Sequence, residues 1–159
     1  MNRIDNIAKF AQKKAKEEAV KELERWKQIL EYREQIHELK PRIDELIKVG
    51  NACLKHNIPL TGSAWGGHEG YDTHQFFTNS WSHLVGFVEN RDKSITYLGI
   101  NAGGACGVYD FRTDGTDTYD VHESTKEIVE PNVHHLKRFL AEFDTFEKEF
   151  YEYIDNITK

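Results

Sequence analysis

Apolar residues in the first forty positions recur in steps of three and four. They are Ile4, Ala8, Ala11, Ala15, Ala19, Leu23, Trp26 and Leu30, then, past a lapse at Arg33, Ile36 and Leu39. This spacing predicts one long helix over about residues 4–39, with a narrow apolar stripe on a charged cylinder. Residues 11–20 are rich in Ala, Lys and Glu and hold no Gly or Pro, which favours helix further. Four alanines on so thin a stripe suit close packing against another helix rather than burial in a wide core. Lys40-Pro41 marks a boundary, because proline disfavours helix in the residue before it and fits the first position of a new one. A second helix is expected over 42–56, carrying Ile43, Leu46, Ile47, Val49, Ala52, Cys53 and Leu54. Gly50-Asn51 weakens its middle, and Asn57-Ile58-Pro59 ends it.

The pattern changes over 57–82. Gly62, Gly66, Gly67 and Gly70 interrupt a segment that also carries Trp65, Tyr71, Phe76, Phe77 and Trp81, which predicts a Gly- and aromatic-rich loop. Loops of about 20 residues are uncommon in small domains and are frequently functional. Four strand-like runs follow, 83–89, 94–100, 105–113 and 116–122, joined by segments rich in Asn, Asp and Gly. Such short links force antiparallel neighbours, so the expectation is a four-stranded meander over 83–122 with an Asp114-Gly115 hairpin as its clearest turn. Strand alternation puts Tyr109 and Phe111 on one face, and Cys106, Val108, Asp110 and Arg112 on the other. A last helix is expected over 132–158, N-capped by Asn132. It has a broad apolar face from Leu136 through Phe139, Phe143, Phe146 and Phe150 to Ile157, and an acidic opposite face. Antiparallel pairing with the first helix would set these aromatics against the alanine stripe and the acids against Lys9, Lys13, Lys14, Lys16 and Lys21. The fold class is therefore α+β in a single domain, 1–159: two N-terminal helices, a four-stranded antiparallel β-meander and a long C-terminal helix.

Composition refines this picture. The chain has 159 residues, 38% hydrophobic and 12% aromatic, enough to bury a core, and a formal charge of -6. That charge argues against direct nucleic-acid binding, which needs a basic face, and favours a protein partner with a basic surface. No apolar run is long enough to span a membrane, and the opening residues lack the apolar stretch of a signal peptide. With only two cysteines, the expected compartment is the cytoplasm. The stripe on the first helix also allows a homodimer through that helix.

Three constellations bear on chemistry. His68, Glu69, Asp72 and His74 fall close together, and His83, Cys106 and His122 come from the neighbouring strands. Zinc takes His, Cys and carboxylate ligands, so His68, His74, His83 and Cys106 form a candidate structural zinc set fastening the loop to the sheet. Cys106 beside Gly103-Gly104, with His83 or His122 as base, gives an alternative: a small zinc- or cysteine-dependent hydrolase sited around Gly66–His83 and Cys106. The acid series Asp110, Asp114, Asp117, Asp120 and Glu123 reads either as a solvated edge that resists aggregation or as a partner-binding surface for a basic cleft. Neither Gly-Gly pair opens a phosphate loop.

Two blocks, Phe76-Phe77-Thr78-Asn79-Ser80-Trp81-Ser82-His83 and Leu98-Gly99-Ile100-Asn101-Ala102-Gly103-Gly104, follow a Lys/Glu-rich helical start in a short acidic chain. In this format the chain resembles small accessory proteins of bacterial phages and mobile elements, including inhibitors of the CRISPR type. The resemblance implies a non-enzymatic, protein-binding inhibitor that occupies a basic nucleic-acid-binding surface of a host defence effector. It assigns no residue roles.

Overall fold

In the computed structural model the chain is described over residues 2–60, 63–65, 73–77, 85–90, 92–101, 109–122 and 125–159; for 63–65, 73–77, 101 and 109 the description is of the backbone. The first helix, α1, spans Arg3–Glu38 and begins at Asn2, whose side chain accepts the Asp5 N–H at 2.8 Å. Leu39 closes α1 and opens α2 (Lys40–Lys55), with Pro41 in its first turn, where the missing N–H goes unneeded. The helix does not falter at Gly50-Asn51. A Cβ at Gly50 would lie 3.0 Å from Ile95 Cδ1 and 3.1 Å from Phe87 Cε1, so glycine is what lets α2 sit down on the sheet. Asn51 donates to the Ile95 carbonyl at 2.9 Å and accepts the Ile95 N–H at 2.7 Å. The two residues that weaken the helix locally thus fix it to the sheet. Asn57, at φ 56, ends this region in the left-handed conformation that asparagine tolerates.

Among the described residues the sheet has seven strands in chain order, each antiparallel to the next. They are β1 (Ser63–Trp65), β2 (Thr73–Phe77), β3 (Val85–Asn90), β4 (Ile95–Asn101), β5 (Tyr109–Thr113), β6 (Thr118–His122) and β7 (Ile128–Val129). The expected four-strand meander corresponds to β3–β6, so the sheet is larger than expected. Part of the segment read as loop is strand, since Ser63 pairs with Phe77 and Phe76 with Phe87. Glycines interrupt that segment, but Thr73-His74-Gln75-Phe76-Phe77 holds β-branched and aromatic residues free of Gly, a composition that favours strand.

Helix α3 (Val133–Ile157) starts at Asn132, which accepts the His134 N–H at 2.8 Å. Its buried residues, Leu136, Phe139, Phe143, Phe146 and Phe150, recur in helical steps and meet the sheet rather than α1's alanines. Phe87 packs edge-on against Phe146 and Phe150, with centroids at 5.3 and 4.8 Å, and Phe111 lies 5.6 Å from Phe139. Ile29 and Ile36 of α1 and Ile43 and Leu46 of α2 complete the core on that face. Large rings gain more by covering a sheet than by covering a strip of methyl groups, because stabilisation scales with apolar area at about 25 cal/mol per Å². The expected pairing of α1 with α3 along their lengths is therefore replaced by a contact through the last third of α1. The acids of α3 are met from α2 instead: the Arg42 guanidinium lies 2.7 Å from Asp144 and 2.6 Å from Glu147.

Candidate functional site

Residues 3–25 of α1, and Asn2 before them, are solvent-exposed throughout. At 1.5 Å per residue the helical part forms a rod about 35 Å long. Its apolar side chains stand in solvent, with Ile4 76%, Phe10 67% and Leu23 71% exposed, and Leu30 still 60% exposed where the helix reaches the body. Charge is uneven along the rod. Residues 3–16 carry Arg3, Lys9, Lys13, Lys14 and Lys16 against Asp5 alone, whereas over 17–25 Glu17, Glu18, Glu22 and Glu24 stand against Lys21 and Arg25. The body beyond is strongly acidic, and α3 turns Asp144, Glu152 and Asp155 outward.

Arg33, the lapse in the apolar stripe, fixes the base of the rod. Its Nε donates to Thr118 Oγ1 at 3.1 Å, and its Nη2 donates to the Thr118 carbonyl at 3.3 Å and to Glu130 at 2.8 Å. A polar residue at a core-facing helical position was the sequence signal for this tie. The β5–β6 hairpin supports the same region. Asp114 Oδ1 accepts the N–H groups of Thr116 and Asp117 at 2.7 and 2.9 Å, closing the Asp114-Gly115 turn with its own side chain. Gly115 has φ +87, and a Cβ there would lie 2.8 Å from Lys40 Cα, so this turn against the α1–α2 junction requires glycine. An open cleft of about 500 Å³ lies beside it, lined by Arg33, Tyr97, Asp117, Thr118, Tyr119 and Ile128. Burial, with a hydrogen bond to Tyr97, pushes the Tyr119 phenol well above its usual range.

The acid series does not form one surface. Asp110 and Asp120 are only 7% and 4% exposed, Asp114 is committed to its turn, Asp117 is exposed, and Glu123 lies outside the described residues. β5 and β6 are interior strands, so the edge-strand reading fails on topology. Asp110 lies on the sheet face away from the helices, 3.7 Å from the largely buried Arg112. Asp120 points toward the helices: its Oδ2 accepts from His135 Nδ1 at 2.8 Å and from the Asn132 N–H at 3.4 Å, strapping β6 to the start of α3. Its Oδ1 has no partner among the described residues. A carboxylate holding a histidine by Nδ1 is half of a catalytic arrangement, but no described hydroxyl or thiol is hydrogen-bonded to His135. The pair positions the α3 N-terminus, where an anion is favoured by the helix dipole.

Of the candidate metal set, His68, His83 and Cys106 lie outside the described residues, and His74 is in β2 opposite Glu89. The accompanying Glu69 and Asp72 are outside them too. His122 is in β6, where its Nδ1 accepts the Thr125 N–H at 3.4 Å. No group of three or more potential metal ligands occurs among the described residues. The other cysteine, Cys53, is buried in the core, and burial pushes its thiol upward, the reverse of what a nucleophile needs. No described helix is long and apolar enough to cross a membrane. Comparison with protein-family models, with curated proteins and with solved structures finds no match.

Proposed function

We propose that this chain is a non-enzymatic, protein-binding regulator: an acidic α+β body with a projecting helical rod as its interaction arm. The observation that carries this reading is the exposed apolar stripe on α1, since a rod with Ile4, Leu23 and Leu30 in water is the kind of surface that binding covers. In its finer form the proposal is an inhibitor from a phage or mobile element that acts in the cytoplasm on a nucleic-acid-binding defence effector of the CRISPR nuclease type. The body's acid excess supports that form, because a basic nucleic-acid channel is complementary to it. With Asp110 and Asp120 inside, the acids offered to such a channel are Asp117 and the outward residues of α3. A structural zinc on His68, His74, His83 and Cys106 remains part of the proposal, fastening the segment before β3.

The test is binding of the purified chain to guide-loaded CRISPR effectors, with target nucleic acid as competitor. The expected result is salt-sensitive binding that displaces nucleic acid and weakens at least tenfold in Glu152→Lys/Asp155→Lys, whose native side chains are exposed. Absence of binding at micromolar concentration across the effector panel would overturn the finer form, and hydrolase activity in a substrate panel would overturn the non-enzymatic reading.

A further inference from the structure

The arm's seam has a size pattern as well as a charge pattern. From its start, Ile4, Ala8, Ala11, Ala15, Ala19, Leu23, Trp26 and Leu30 follow in steps of three and four, mostly four. That spacing stays close to the helix's own period of about 3.6 residues, so the stripe runs nearly straight along the rod rather than winding around it. The small residues cluster in the middle and the large ones toward the body. The stripe is open along its length: Leu23 is 71% and Leu30 60% exposed, and only Trp26 between them is partly covered by the body.

Resting on the reading of α1 as an interaction arm, we propose that its occupant is a second copy of this chain, paired antiparallel along the stripe. Placing Ala15 opposite Ala19 of the other copy brings Ala11 against Leu23, Ala8 against Trp26 and Ile4 against Leu30. Every large side chain of the body-proximal half then faces a small one, except at the outer end, where Ile4 reaches the exposed Leu30. Alanine at the centre permits the short interaxial distance, about 8 Å, at which such seams pack. Charge selects the same orientation. A parallel pair would set Lys9, Lys13, Lys14 and Lys16 beside their own copies. The antiparallel pair lays that basic half along residues 17–30, where Glu17, Glu18, Glu22 and Glu24 outnumber Lys21, Arg25 and Lys27 by one. The resulting assembly carries two acidic bodies at opposite ends of a shared rod, a bivalent arrangement that raises apparent affinity for paired or repeated basic sites.

Sedimentation equilibrium of the full chain tests self-pairing, and cysteine cross-linking tests its direction. The expected results are a dimer at micromolar concentration and a shift toward monomer of at least 100-fold in dissociation constant in Ala15→Glu/Ala19→Glu. That variant keeps strong helix formers at both sites. Lys13→Glu, off the stripe, should move it far less. Mixed Ala11→Cys and Leu23→Cys chains should form a heterodimeric disulfide. Ala8→Cys should not cross-link to itself, because the two positions stand about 27 Å apart along the antiparallel rod and a disulfide needs Cα atoms within about 7 Å. Efficient Ala8→Cys self-cross-linking would overturn the orientation. A monomeric chain at 100 micromolar with α1 helical by circular dichroism would overturn self-pairing; if that monomer still bound an effector through the arm, the regulator reading would stand and only the second-copy occupant would fall.

Discussion

Replacing Asn51 by alanine probes the junction that holds α2 on the sheet. In the native chain its carboxamide both donates to and accepts from the Ile95 backbone, at 2.9 and 2.7 Å, and Ile95 itself is 1% exposed. Alanine is the better helix former, which returns about 0.5 kcal/mol at this position. Against that gain, the substitution strands one N–H and one C=O at the start of β4, where water has little access, at about 1–3 kcal/mol each. Asn51 is only half-buried, so the lower part of that range applies, and the net loss is about 2 kcal/mol. With a urea dependence of about 2 kcal/mol per molar, the unfolding midpoint should fall by about 1 M with little change in slope. Lys48→Ala, on the exposed side of the same helix, serves as the control and should stay within about 0.5 kcal/mol of the parent. A midpoint for Asn51→Ala within about 0.3 M of the parent would refute the claim that this side chain pins β4.

Gly115→Ala should cost more, about 3 kcal/mol, because φ +87 is unfavourable for alanine and the added Cβ would meet Lys40 Cα at 2.8 Å; thermal or urea unfolding reads the loss, and an unchanged stability would mean that the hairpin does not press on the α1–α2 junction. Alkali should weaken the fold. Burial raises the Tyr119 phenol above its ordinary 10.0, so its stabilising contribution is full below that value and is lost as pH rises through the folded-state titration. Stability followed across that range should decline less steeply in Tyr119→Phe, and an identical decline in the variant would contradict the assignment. The zinc proposal predicts stoichiometric zinc in the purified protein, lost in both His68→Ala and His74→Ala; metal-free protein with a cooperative unfolding transition would remove it.

Much of the architecture was legible because it rests on local signals. Pro41 divides the first two helices, Asn132 caps the third, and Asp114-Gly115 turns the hairpin, each through backbone chemistry that depends little on the rest of the chain. What the helices pack against was not legible. The Phe139–Phe150 face is equally suited to a helix or a sheet, and only the sheet's breadth decides between them. The burial of Asp110 and Asp120 is hidden from the sequence for a related reason. Alternation assigns residues to faces, but it does not reveal that β7 lies outside β6, or that Asp120 finds His135 and the α3 N-terminus above it. Arg33 and Asn51 show the converse: each interrupts a helical pattern, and each proves to be a tie to the sheet. The arm's stripe was visible from spacing alone, whereas its projection into solvent was not, because solvent exposure depends on where the body ends.

That projection is the central claim, and a distance measurement tests it most directly. Spin labels at Gln12 of the arm and at the exposed Thr145 of α3, with labelled chain diluted in an excess of unlabelled chain to isolate the intramolecular pair, report whether the rod leaves the body. Gln12 lies 14 residues before Trp26, the first residue of α1 to touch the core, which places it about 21 Å beyond that point along the helix axis. The account predicts a single intramolecular separation well above 20 Å. A separation near 10–15 Å, the spacing of labels on directly packed helices, would contradict it and return the alanine stripe to the aromatic helix.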